Sequence, residues 1–156
     1  MKVKQEQMYL GDIISADGKH QKNIQNRKNR GLGIINQIMN ILDTVYFGKY
    51  YFEVALVLRS SLLVSSILLN SEACVNLTDK DIRGLEQTDE ILLFKIIEAE
   101  VNTSNAYKHL ELGILPLRFK IMRRKVLFLQ YVLKQGKSSM IYRVLDATRE
   151  NYIKNL

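Results

Sequence analysis

The sequence predicts a mainly α-helical chain: a helical bundle around a central apolar helix at about residues 50–69, with a short N-terminal β-strand or hairpin. Three observations predict it. From Tyr50 to Leu69 the chain reads YYFEVALVLRSSLLVSSILL, and Val54 to Leu69 holds one charge, Arg59. A helix that is apolar on nearly every side belongs in a core, where other helices pack around it. On both sides of this run, apolar residues recur at helical spacing. Only Met1 to Ser15 lacks that period.

The central run is read as a core helix and not as a membrane span, which needs about 20 apolar residues. Here the run is shorter, carries Arg59 inside and sits mid-chain. Length also favours a helix over a strand, because buried strands seldom exceed ~8 residues.

Taken in order, Val3, Met8, Leu10, Ile13 and Ile14 lie scattered among polar residues, and Gly11-Asp12 and Asp17-Gly18 are turn signals. From His20 to Leu42 the period becomes helical. Ile24, Gly31, Ile35, Ile38 and Leu42 share one face, and Lys22, Arg27, Lys28 and Arg30 decorate the first half. Gly31 and Gly33 each cost about 1 kcal/mol inside a helix, so they mark close packing or a bend. After the central run, Thr78 is placed to cap a helix reaching about Ala99. Asp79 and Asp81 fall in its first turn, and Ile82, Leu85, Leu92 and Ile96 form its apolar face. Asn102-Thr103-Ser104 reads as a loop and cap before a short helix stopped by Gly113. Pro116 suits the first position of the next helix, Leu117 to Gln135, which Gly136 ends. Ser138-Ser139 can cap a last helix.

Charge is uneven. The chain of 156 residues has net charge +7. Lys2, Lys4, Lys19, Lys22, Arg27, Lys28 and Arg30 crowd the start. Arg118, Lys120, Arg123, Arg124, Lys125, Lys134 and Lys137 follow Pro116 without an acid among them. Asn70 to Glu111 is acidic. Two basic flanks around an acidic middle fit either a nucleic-acid backbone or docking within the chain, and composition does not separate them. One cysteine, Cys74, excludes an internal disulfide. The start has no signal-peptide run, so an intracellular location, nucleus or cytoplasm, is expected.

Several short segments, in order, resemble one family. Tyr9-Leu10-Gly11, Asp17-Gly18 and the basic helix come first. Leu69-Asn70-Ser71-Glu72-Ala73, Asn76-Leu77-Thr78, Leu85-Glu86, Asp89-Glu90 and Leu92-Leu93 follow. Leu110-Glu111-Leu112-Gly113, Pro116-Leu117-Arg118-Phe119 and Met122-Arg123-Arg124 close the series. Together they resemble the region after the catalytic palm in reverse transcriptases of non-LTR (LINE-like) retrotransposons, over about Tyr9 to Tyr142. The resemblance implies residues 1–18 as the end of a palm-like β element, 19–100 as a thumb-like helical bundle, and 101–156 as a C-terminal helical connection segment. It implies a fragment of an RNA-directed DNA polymerase that grips an RNA–DNA or RNA template–primer duplex without reading sequence. Tyr9, Leu10 and Gly11 take the place of the hairpin near the primer grip. Lys19, Lys22, Arg27, Lys28 and Arg30 are expected to meet phosphate, and Arg123 and Arg124 are further candidates.

Two departures stand beside it. The family commonly has a tryptophan near the Cys74 position, and this chain has none. The Tyr-x-Asp-Asp type motif, whose carboxylates hold two metal ions for nucleotidyl transfer, does not occur here. The expectation is therefore a chain with no catalytic residues and no metal site of its own, Mg²⁺ belonging to the missing palm. Its partners would be that palm and the fingers of the same polyprotein, with no membrane. A protein–protein interaction module, or a decayed copy of the element with no function, are the other readings.

Remaining constellations have plainer explanations. Asp79, Asp81, Asp89, Glu90, Glu98 and Glu100 are expected to cap and solubilise. Asp79 and Asp81 do not share a helical face. His20 and His109 stand alone, as surface or capping histidines do. Tyr131 is expected to pack in the core or at its boundary, with stacking on a base the other reading.

Overall fold

A computed structural model describes residues 6–9, 12–15, 21–72, 74, 77–100, 102–136, 138–140, 142–143 and 146. It is mainly helical. Before the helices, β1 (Glu6–Tyr9) and β2 (Asp12–Ser15) pair antiparallel, Glu6 opposite Ser15 and Tyr9 opposite Asp12.

Helix α1 (Gln21–Thr44) buries Ile24, Gly31, Ile35, Ile38 and Leu42, the stripe its period demands. Asn23 and Arg27 are buried with them. Arg27 stands three residues after Ile24 and four before Gly31, so helical geometry turns it inward with its apolar neighbours. It was expected on the outer, duplex-facing surface. At 1% exposure it is instead one of the largest fully buried side chains.

The central apolar segment differs most from expectation. It is continuous but changes winding. A 3₁₀ turn (Gly48–Tyr50) leads into α2 (Tyr51–Leu58), a π-helical turn (Arg59–Val64) and the short α3 (Ser65–Ile67). Ser60 and Ser61 donate back to the Val57 carbonyl at 3.0 and 2.7 Å. Such back-bonding competes with the helical ladder and bends helices, and the winding widens here. Nor is the segment buried all round. Ala55, Arg59, Leu63, Val64, Ile67 and Leu68 face inward, while Tyr50, Phe52 and Val57 are more than half exposed. By length and composition Gly48–Ile67 is one helix long and apolar enough to cross a membrane. Its inward face is completed by α1 and α4.

Helix α4 (Asp79–Ile96) starts at the predicted cap. The Thr78 hydroxyl accepts the Asp81 N–H at 3.2 Å, and the Asp81 carboxylate accepts the Thr78 N–H at 3.0 Å. This reciprocal pairing satisfies two amide donors that the first turn leaves open. Ile96, not Ala99, ends the helix. The broadest helix–helix contact joins α1 to α4, with α2 to α3 laid across both. Ser104 caps α5 (Asn105–Glu111) by accepting the Tyr107 N–H at 3.2 Å. Pro116 is the cap of α6 (Leu117–Lys134), one residue before its expected place. Gly113 and Gly136 follow the two helices with φ of 61° and 78°, the left-handed geometry glycine adopts without strain. The core runs from Ile24, Ile35 and Ile38 through Leu63, Ile67, Leu85 and Leu92 to Leu117 and Ile121.

Candidate nucleic-acid interface

The basic residues of α1 do not share one wall. At about 100° per residue, Lys28 flanks the buried stripe on one side and Arg30 on the other, with Lys22 on the far face. Lys22 and Arg30 are exposed and Lys28 is half-buried. Lys28 reaches a second element. Its side chain runs over Gly84 of α4, where a methyl group would lie 3.6 Å from Cδ and 3.8 Å from Nζ. Lys80 and Arg83, both exposed, stand one turn and one residue before Gly84. Lys28 thus lies over α4 at Gly84, on a helix whose first turns carry Lys80 and Arg83 along with Asp79 and Asp81. Lys19, Leu10 and Gly11 lie outside the described residues. Tyr9 ends β1 opposite Asp12.

Arg123 and Arg124, adjacent in sequence, point apart. Arg123 is exposed. Arg124 turns inward and donates to the Leu68 carbonyl at 2.8 Å, with Glu72 at 3.9 Å. It ties α6 to the end of the central segment while its side chain stays 40% exposed. Tyr131 is half exposed.

Between these surfaces lies a buried charged cluster. Arg59 of the π turn holds Asp89 of α4 through two hydrogen bonds, Nε to Oδ1 at 2.8 Å and Nη2 to Oδ2 at 2.5 Å, with both side chains 1% exposed. Asp89 was expected to solubilise; it neutralises the one charge inside the apolar run. Glu86, one turn earlier, accepts Arg118 at 2.8 and 2.6 Å and also the Arg118 backbone N–H at 3.2 Å. A carboxylate at a helix N-terminus is favoured by the helix dipole, so Glu86 anchors the start of α6. The Arg118 hydrogen bonds hold its carboxyl below the ordinary value. Acidic α4 therefore pairs with α6 through Arg118. His109 of α5 is buried beside this cluster, its Nδ1 without a hydrogen-bond partner. Burial lowers its pKa first, Asp89 opposes that, and Arg59 adds to it. The lone histidine is neither a surface nor a capping residue.

Comparison with known protein families, with curated proteins and with solved structures returns no match. Among the described residues, no three of His, Cys, Asp and Glu gather as a metal site needs.

Acid should weaken this cluster. His109 has a folded pKa below its unfolded value near 6.5, so its unfolded form takes up the proton first and stability falls as pH drops below that value. Glu86 has a depressed pKa too. Its contribution is present above the unfolded value and is lost as pH falls through the folded one. Glu90 works the opposite way, because burial raises its carboxyl and acid favours its folded form. Urea midpoints should therefore drop between about pH 7.5 and 5.5. His109→Gln should flatten that upper part of the curve. An unchanged slope in that variant would remove His109 from the account.

Proposed function

We propose that this chain is the thumb and connection region of a non-LTR retrotransposon reverse transcriptase, and that it holds a template–primer duplex by charge without reading sequence. The ordered resemblance from Tyr9 to Tyr142 supports this reading. So does the packing of basic Lys28 of α1 onto α4 at Gly84, the helix that carries exposed Lys80 and Arg83, and this placement is the observation that carries it. A duplex presents closely spaced phosphates, and Lys and Arg gain affinity there by releasing counterions. Lys22 and Arg30 lie on other faces of α1 and would meet a duplex only if it wraps the helix; buried Arg27 drops out of the contact set. The work is intracellular, beside the catalytic palm and fingers of the same polyprotein.

Anisotropy of a labelled RNA–DNA duplex tests it. With about four phosphate contacts, a fourfold rise in salt should weaken binding by ~100-fold. The triple variant Lys28→Glu, Lys80→Glu, Arg83→Glu should abolish binding, while Arg123→Glu should have a smaller effect. Binding that is absent, or indifferent to salt and to the triple variant, would overturn the reading. Because no Tyr-x-Asp-Asp motif occurs here, the chain should give no product in primer extension with Mg²⁺.

A further inference from the structure

Helix α6 buries only Leu117, Ile121 and Val132. Turned away from them, Phe119, Met122, Val126, Leu129 and Leu133 are each between 43% and 59% exposed. Their spacing is three, four, three, four, the a and d positions of a heptad. At 100° per residue they fall within an arc of about 80°, narrower than the ~100° stripe of an ordinary amphipathic helix. Together they expose roughly 400–500 Å² of apolar surface, as much as the largest patch of a typical monomer, and such patches are commonly functional.

The flanks of this seam are basic. Arg123 lies at an e position, with Arg118 and Lys125 at g positions. Arg118 already pairs with Glu86. From Pro116 to Lys137 there is no acidic residue. A second copy of the chain would set basic flank against basic flank in either orientation, and like charges at e and g disfavour pairing. A partner helix with acidic flanks would be attracted along the same edges. Base stacking needs aromatic rings in succession, and the seam has only Phe119.

We propose that this face of α6 is a docking seam for an acidic amphipathic helix of a protein partner, packed knobs-into-holes on Phe119 to Leu133. The seam does not depend on the duplex reading, and it lies on a different element from Lys28, Lys80 and Arg83.

The probe is a labelled synthetic peptide of about four heptads, Leu at a and d and Glu at e and g; a control peptide carries Lys at e and g. The full chain should bind the Glu peptide saturably and the Lys peptide at least about tenfold more weakly. Val126→Glu and Leu129→Gln should each weaken the Glu peptide at least about tenfold, with circular dichroism and thermal midpoint unchanged. If either variant loses its fold, the two peptides on the unaltered chain decide the matter. Equal binding of both peptides, or none, overturns the proposal. So does self-association that Val126→Glu abolishes, or capture by phosphatidylserine vesicles that the same substitution abolishes, when the Glu peptide does not bind.

Discussion

Asp89→Ala should cost about 3–5 kcal/mol of folding stability, because it strands the Arg59 guanidinium in a dry core with no counter-charge. Arg59 is 1% exposed and both its hydrogen bonds to Asp89 end on the same carboxylate. A domain of this size has about 5–15 kcal/mol in total, so the single substitution takes about a fifth or more. Arg59→Met should fall in the same range, now leaving Asp89 alone. The double variant Arg59→Met, Asp89→Leu should recover most of the loss or exceed the parent, since apolar replacements of a buried pair are often neutral or stabilising by ~1–4 kcal/mol. Denaturant titration of the four proteins measures the coupling. If the double variant is as unstable as the sum of the singles, the two groups are not interacting. Raising salt should leave the coupling unchanged, because a buried pair is screened far less than a surface one.

The same pair shows where sequence reading reached and where it stopped. Periodicity located α1, α4 and α6, and Thr78 and Ser104 announced their helices because capping is local chemistry. The positions of buried charge were also legible. Asp89 follows Leu85 by four residues and precedes Leu92 by three; Arg27 follows Ile24 by three and precedes Gly31 by four. Both lie on the apolar stripe of their helices, and a charged residue on such a stripe is buried unless the helix frays. What sequence does not carry is the partner. Arg59 and Asp89 are 30 residues apart, and their meeting depends on how the central segment is rotated, which its π turn alters. The apolar surfeit of α6 hides its inward face for a related reason. With Leu117, Val126, Leu127 and Val132 spread round the helix, only packing on α4 decides which side is covered. The interface residues divide likewise. Lys28 was legible as basic, whereas its place over α4 depends on where α1 crosses that helix, at Gly84.

That crossing makes two glycines of α1 behave oppositely. A methyl group on Gly31 would sit 2.7 Å from Thr88 Cγ2, 3.0 Å from Ile67 Cγ2 and 3.4 Å from Leu63 Cδ1. Thr88 and Ile67 are β-branched and stiff at χ1, and the Thr88 hydroxyl donates to the Gly84 carbonyl at 3.3 Å. Neither yields easily, so overpacking should cost about 1–3 kcal/mol, against about 1 kcal/mol gained in helix propensity. Gly31→Ala should thus be net destabilising by up to ~2 kcal/mol, and Gly31→Val by ~3 or more, since its second carbon also has no room. Gly33 has nothing within 4 Å of the same added carbon, so Gly33→Ala should stabilise by about 0.5–1 kcal/mol. Thr88→Ser removes the nearest methyl and keeps the hydroxyl. Combined with Gly31→Ala it should recover stability beyond additivity, a favourable coupling that a double-mutant cycle resolves. Equal stabilisation by Gly31→Ala and Gly33→Ala would mean that α1 and α4 do not approach this closely. The placement of Lys28 over Gly84 would then be lost as well, because the same crossing sets both.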